Sequence, residues 1–317
     1  LDASSKPAIL AVAGPTATGK TALSVFLAER LGGEIISADS MQVYRGLTVG
    51  TAKATPAERH GIPHYGIDIL SPEVPYSVAD FTAMATAAAQ EIAAKGHLPI
   101  VAGGTGLYLE SFLRGVRFAP DKADSALRTA LADELAARGP EQMYQELAAV
   151  DPAAAAATHP HNTVRVLRAL EHYRATGRTI TEQKKESLPD EPPYRALIFG
   201  LDYPVRAVLY EKIDRRVDAM LAAGLLREAE FVFQNRETFR TAAQAIGYKE
   251  LFPYFAGEEG LAPCVEKLKQ ASRNYAKRQL TWFRRMKEIV WLDAGAPGLA
   301  EEALAKAQDF WKGASAQ

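Results

Sequence analysis

The segment Gly14-Pro-Thr-Ala-Thr-Gly19-Lys20-Thr21 constrains this chain more than any other. It fits the pattern G-x-x-x-x-G-K-[ST], and its surroundings fit as well. Ala8–Val12 is an apolar run that reads as a buried strand. Lys20–Leu31 carries Leu23, Phe26, Leu27 and Leu31 at helical spacing before Gly32-Gly33 stops it. Between a strand and a helix, such a loop turns successive backbone N–H groups around an anion. Lys20 adds a point charge, and the Thr21 hydroxyl can hold Mg2+. The motif predicts a polyphosphate or pyrophosphate ligand without saying which one, or whether the phosphate is hydrolysed.

Further strand and helix patterns alternate along the chain. Glu34–Ala38 reads as a second strand, Gly66–Leu70 as a third and Leu98–Ala102 as another. Helical patterns fill 77–95 and run from Gly106 through Arg114. This alternation implies a parallel sheet covered on both faces. Residues 119–195 hold no convincing buried strand and read as a helical insertion, leaving through Pro189, Pro192 and Pro193. Arg195–Leu201 resumes the sheet. Helices are expected at about 204–224, 225–235, 241–251, 261–287 and 298–312, with a late strand at Glu288–Leu292.

The C-terminal edge of such a sheet is where ligands bind. Asp39 falls at that edge, after the second strand. It can act as a base or a metal ligand, or can cap the following turn. Gln42 can pair with an adenine edge or be a surface amide. Gly103-Gly-Thr105-Gly106 is a second glycine-rich turn on the same edge, either a ligand loop or a sterically tight turn. Arg216 lies beside the apolar face of its helix and can reach a phosphate or solvent. The six histidines show no zinc spacing, and Cys264 reads as a packing residue.

Composition excludes some classes. Hydrophobic residues are 48% and charged residues 24%, which rules out a mostly disordered or fibrous chain. A single cysteine excludes an intrachain disulfide and suits a reducing compartment. No apolar run approaches the roughly 18 residues of a membrane span, and Leu1–Lys6 lacks a basic-then-apolar leader pattern. A cytoplasmic protein with no membrane partner is the expectation. The net charge of −1 argues against nucleic acid, yet residues 264–288 carry eight basic and two acidic side chains. Tyr275, Trp282 and Phe283 interleave with them. That helix reads equally as a nucleic-acid face or as a solvated helix with core aromatics.

Eight ordered blocks then carry a resemblance: GPTATGKT (14–21), IISADSMQVYRGLTVGTAK (35–53), PHYGIDI (63–69), YSVADF (76–81), VAGGTGLYLESFL (101–113), RVLRALEHYRATG (165–177), AIGYKEL (245–251) and RNYAKRQLTWFRR (273–285). Together they resemble the tRNA dimethylallyltransferases. The zinc-finger extension of some eukaryotic members is absent from the sequence, so a bacterial-type enzyme is expected. The resemblance implies an α/β fold: a P-loop NTPase-like parallel sheet with helices on both faces, formed by 1–118 and 196–317, plus a helical insertion at 119–195 that contacts tRNA. It implies transfer of a dimethylallyl group from dimethylallyl diphosphate to N6 of the adenosine just 3′ of the anticodon (position 37), in tRNAs that read codons beginning with U. Mg2+ would assist, and the enzyme is expected to be a monomer that meets the anticodon stem-loop.

By the same resemblance, Asp39 matches the general base and Thr105 the residue at the diphosphate's bridging oxygen. Lys20 and Arg216 match diphosphate-binding cations. Gly14, Pro15, Thr16, Ala17, Thr18, Gly19, Lys20 and Thr21 form the diphosphate loop, with Thr18 where Ser is usual. Ser40, Met41 and Gln42 match the segment meeting the target adenosine. Val164, Arg165, Val166, Leu167 and Arg168, then Gln244, Ala245, Ile246, Gly247, Tyr248 and Lys249, match tRNA-contacting segments. So do Arg273, Lys277, Arg278, Gln279, Trp282 and Arg284. Three rivals remain at this level: a prenyltransferase for free nucleotides, a kinase on the same loop, and a P-loop module that binds RNA without catalysis.

Overall fold

The computed structural model describes residues 6–118 and 125–315; residues 119–124, where the insertion is expected to begin, lie outside them. The described chain divides into two compact units, one of Leu1–Arg114 with Pro192–Gln317 and the other of Gly115–Glu191.

The larger unit opens with β1 (Ala8–Ala13), α1 (Lys20–Leu31), β2 (Gly33–Ser37), β3 (His64–Tyr65), α2 (Val78–Ala94), β4 (Leu98–Gly103) and α3 (Gly106–Arg114). Every residue of β1 is buried, as a strand covered on both faces requires. Gly19 stands in the left-handed region at φ 82° and turns the chain into α1; Gly32 ends that helix with its N–H on Ala28 O. A capping box between Ser77 and Asp80 starts α2.

The smaller unit holds α4 (Ser125–Val150), α5 (Pro152–Ala156), α6 (Thr163–Thr176) and α7 (Ile180–Glu186). Its core gathers Leu131, Met143, Leu147, Val166 and Leu170. Helix α4 breaks at Gly139-Pro140. Asn162 caps α6 by accepting the Arg165 N–H at 3.3 Å.

The chain then completes the larger unit with β5 (Arg195–Asp202), α8 (Arg206–Ala222), α9 (Leu225–Gln234), α10 (Phe252–Phe255), α11 (Leu261–Phe283), β6 (Ile289–Asp293) and α12 (Leu299–Ser315). The six strands lie in the order β3-β2-β4-β1-β5-β6, each pairing parallel. β1 is central, with Leu10 opposite Ile100 of β4 and Leu197 of β5. One face is packed by α2, α3 and the end of α11, the other by α1 and α12. A third core joins α8, α9 and α11 to the loop after β2 and encloses Cys264. No helix among the described residues is long and apolar enough to cross a membrane.

Three expected elements are corrected. The third strand is only His64–Tyr65, because Gly66 (φ 77°) and Asp68 (φ 56°) turn the chain; Leu70 keeps a single bridge to Tyr44. The segment 241–251 is two short 3-10 turns, Ala242–Gln244 and Lys249–Leu251, interrupted at Gly247 (φ 112°). Helix α11 ends at Phe283, four residues before the expected limit.

Candidate active site

The C-terminal ends of β1, β2 and β4 open into a cavity of about 400 Å³. The loop after β1 contributes Thr16, Lys20 and Thr21. The loop after β2 contributes Asp39, Ser40, Met41 and Gln42, and the turn after β4 contributes Gly103 and Gly104. Opposite them stand Arg216 of α8, the segment Gln244–Gly247 with Lys249, and Tyr275, Arg278 and Gln279 of α11. Residues distant in sequence therefore meet where a parallel α/β sheet binds ligands.

The charges in this cavity are coupled. Lys20 Nζ donates to Pro15 O at 2.6 Å. Burial, helped by the nearby charge of Arg216 and opposed by that of Asp39, lowers the Lys20 ammonium to about 7. Burial also lowers Arg216, against the charges of Asp39 and Glu58. Two desolvated cations facing one carboxylate form a site short of negative charge, which a diphosphate supplies. Burial raises the Tyr275 phenol to about 12, with the Asp39 charge adding to the effect.

Asp39 combines both of its sequence readings. Its Oδ1 accepts the N–H groups of Met41 (2.9 Å) and Gln42 (3.3 Å), so it caps the turn, while its carboxylate lines the cavity. Among the described residues no hydrogen bond occupies Oδ2. The Gln42 amide is held at both ends: Oε1 accepts Ser37 Oγ at 2.9 Å, and Nε2 donates to Thr51 O (3.3 Å) and Ala52 O (3.4 Å).

Other expected residues stand behind the lining. Gly14, Pro15 and Thr18 are buried, and Thr18 Oγ1 donates to Pro15 O at 2.9 Å, which shapes the loop from within. Ala17 (φ 66°) and Gly19 turn the loop. Thr105 does not line the cavity; it follows Gly104, and its side chain meets the Tyr275 phenol.

Several residues expected on a tRNA face are committed inside the protein. Tyr248 is fully buried and donates to Glu228 Oε1 at 2.8 Å. Ala245 is buried in the third core. Val166 is buried in the smaller unit's core with Leu167 packed against it, whereas Val164, Arg165 and Arg168 are exposed. Arg273 pairs with both oxygens of Asp214, Arg284 with Asp202, and the Trp282 indole N–H donates to Glu110 at 2.9 Å. Gln279 is buried against the phosphate loop. Lys277, Arg278, Gln244 and Lys249 are exposed.

Sequence reasoning missed two contributors. Gly50, Thr51 and Ala52 line the cavity, and Glu228 of α9 builds their turn by accepting the N–H groups of Thr48 (2.7 Å), Val49 (2.9 Å) and Gly50 (2.7 Å). The apolar face beside Arg216 also supplies a wall of the cavity, Ile213, Val217 and Met220, joined by Leu268 of α11. The matching block at 35–53 pointed to the turn; nothing local pointed to Glu228.

The lining suits Mg2+. Thr21 is exposed and Asp39 half-buried, so the cavity offers hard oxygen donors. Among the described residues no group of three or more His, Cys, Asp or Glu side chains is placed to hold a metal. A cation here would share its coordination with the ligand's oxygens and water, the habit of Mg2+ at phosphates.

Comparison with known proteins follows this geometry. The family model for IPP transferase matches residues 42–286, and that for isopentenyl transferase matches residues 7–66. The chain is 48% identical over 288 residues to a tRNA dimethylallyltransferase of Pelotomaculum thermopropionicum, covering 90% of this chain and 91% of that one. It is 45% identical over 292 residues to the tRNA dimethylallyltransferase of Bacillus subtilis, covering 92% of each. Among solved structures, it is similar to the tRNA isopentenylpyrophosphate transferase of Bacillus halodurans (TM-score 0.71, 41% identity, 98% of this chain and 97% of the other). It is also similar to a eukaryotic dimethylallyltransferase acting on tRNA (TM-score 0.83, 30% identity, 96% and 80%).

Proposed function

Because the chain belongs to the tRNA dimethylallyltransferase family, we propose that it transfers a dimethylallyl group from dimethylallyl diphosphate to N6 of the adenosine 3′ of the anticodon, releasing diphosphate. The observation that carries this reading is the meeting of Lys20, Arg216 and Asp39 in one cavity at the sheet edge.

The chemistry follows from the reactants. An exocyclic adenine amine is a poor nucleophile, since its lone pair is delocalised into the ring. The electrophile must be strong, and an allylic carbon gains cationic character as diphosphate leaves. Stabilising that leaving charge is then the main task of the site. The P-loop amides, Lys20 and Arg216 bind the diphosphate and orient it. Thr105 stands behind the lining in the adjoining turn, so serving the bridging oxygen requires its hydroxyl to turn from the Tyr275 phenol toward the diphosphate. Mg2+, held by Thr21 and the diphosphate itself, would add positive charge to the leaving group. The carbon–oxygen bond breaks, the N6–carbon bond forms, and Asp39 takes the proton that N6 loses. The apolar wall of Val217, Met220 and Ile246 suits the dimethylallyl chain and excludes water from the reactive carbon. The adenosine must leave its stack to enter, which costs less in an anticodon loop than in a duplex.

The test is direct. Incubation of tRNA and dimethylallyl diphosphate with Mg2+ and no ATP, followed by nucleoside analysis, is expected to yield prenylated adenosine. Product only with AMP, or only with ATP as phosphate donor, would refute the reading.

A further inference from the structure

Helix α11 reaches both glycine loops through one buried side chain. Gln279 is 6% exposed. Its Oε1 accepts the Thr16 N–H of the P-loop at 3.1 Å, and its Nε2 donates to Gly104 O in the turn after β4 at 2.9 Å. The two bonds demand opposite ends of one amide. A flipped amide would set donor against donor, and a carboxylate would set oxygen against oxygen. The backbone is fitted to this contact. A Cβ on Gly104 would overlap Gln279 Nε2, and a Cβ on Gly106 would overlap the Trp282 indole. One turn earlier on the same helix face, the Tyr275 phenol meets the side chains of Thr105 and Gln279. The neighbouring Lys277 is exposed, and Arg278, also exposed, lies over the Tyr275 ring at the edge of the cavity.

We propose that Gln279 is a positioning residue that fixes the P-loop against the Gly103–Gly106 turn, and so sets where the amides and Thr105 stand around the diphosphate, without touching tRNA. The inference rests on the proposed use of both loops by one diphosphate. The two loops end neighbouring strands, and no backbone hydrogen bond joins them among the described residues. Beyond the last β1–β4 pair, Ala13 with Gly103, the Gln279 amide supplies a directional tie between them. Leaving-group stabilisation depends on donors fixed before the charge develops, so small changes in loop spacing act on rate rather than on tRNA docking.

The experiment compares Gln279→Glu and Gln279→Ala with the unaltered chain. Inorganic pyrophosphate affinity is measured by calorimetry, tRNA affinity by filter binding, and kcat and KM separately for each substrate. A loss of about 10–100-fold in kcat/KM for dimethylallyl diphosphate is expected, as loop misplacement of an ångström can produce. Pyrophosphate affinity should fall with it while tRNA affinity stays at the wild-type value. Loss of tRNA affinity with pyrophosphate affinity intact would overturn the proposal and make Gln279 a tRNA contact. Wild-type pyrophosphate affinity and kcat/KM in both variants would overturn it too. Gly104→Ala presses on the same contact from the other side. It should lower pyrophosphate affinity in the wild-type background and add nothing in the Gln279→Ala background, where the methyl has room. Equal effects in both backgrounds would mean general destabilisation instead. The pyrophosphate measurements need no prenyl transfer, so they decide the role of Gln279 even if the wild-type chain fails to modify tRNA.

Discussion

Single residues decide the proposed chemistry, and Asp39 shows how. One of its oxygens is spent on the turn at Met41 and Gln42. Asp39→Asn keeps that acceptor and removes only the basicity. Turnover should fall about 10²–10⁴-fold, the usual worth of a positioned base. tRNA affinity and thermal midpoint should hold. Turnover near the wild-type value, or a parallel loss of tRNA binding, would remove Asp39 as the base. Lys20 makes a pH prediction. Burial and Arg216 bring it to about 7, so above that pH it is mainly neutral in the free protein. A bound diphosphate favours the ammonium, so binding at pH 8 should take up a proton, and affinity should weaken as pH rises further. Calorimetry in two buffers of different ionisation enthalpy checks this; identical heats at pH 8 would contradict it. At this scale the sequence was readable for Lys20 and Thr21, whose motif is contiguous. Arg216 was not readable without the resemblance. Its helix pattern sets it beside the apolar Val217, and only the tertiary fold, which faces α8 to the loop after β2 and to α11 around one cavity, makes it a half-buried, desolvated cation.

Whole elements were legible where one local signal governed them, as with the buried run of β1, the capping box of α2 and the glycine end of α1. They were misread where packing overrode periodicity. Residues 241–251 carry apolar side chains at helical spacing, yet Ala242, Ala243, Ala245, Tyr248 and Leu251 are buried around two short turns, and Gly247 breaks the helix. Glu228 was beyond local reading altogether, since its partners at 48–50 lie nearly 180 residues upstream. It ties α9 to the turn that holds the Gln42 amide. Glu228→Gln halves the acceptors facing three N–H groups and should cost about 1–3 kcal/mol, because half-buried donors lose bonds to a charged acceptor. Tyr248→Phe removes one bond to the same carboxylate and should cost less. Denaturant midpoints check the ranking; a larger loss for Tyr248→Phe would put the strength of this corner in the phenol's hydrogen bond rather than in the N–H groups of 48–50.

Across the whole molecule, the net charge of −1 conceals a segregation that the sequence shows and the structure sharpens. Residues 264–288 sum to +6, but four of those eight cations are engaged: Lys267 with Glu259, Lys269 with Asp218, Arg273 with Asp214 and Arg284 with Asp202. Among the described residues no ion pair engages Lys277, Arg278, Arg285 or Lys287, and all four are exposed. A linear sum counts all eight alike, because the acidic partners sit in other elements. The distinction changes the expected salt response of tRNA binding. Each phosphate contact made by a free cation releases a condensed counterion, while a cation already paired within the protein must first give up its carboxylate. Replacing Lys277 and Arg278 with Gln should make the log–log salt slope shallower by about 1–2, at roughly 0.7 per phosphate of a single-stranded loop. Replacing Lys267 and Lys269 should leave the slope unchanged. Filter binding across a salt series distinguishes the pairs, and a flattened slope in the second pair alone would move the RNA-facing side of α11 toward its first turns.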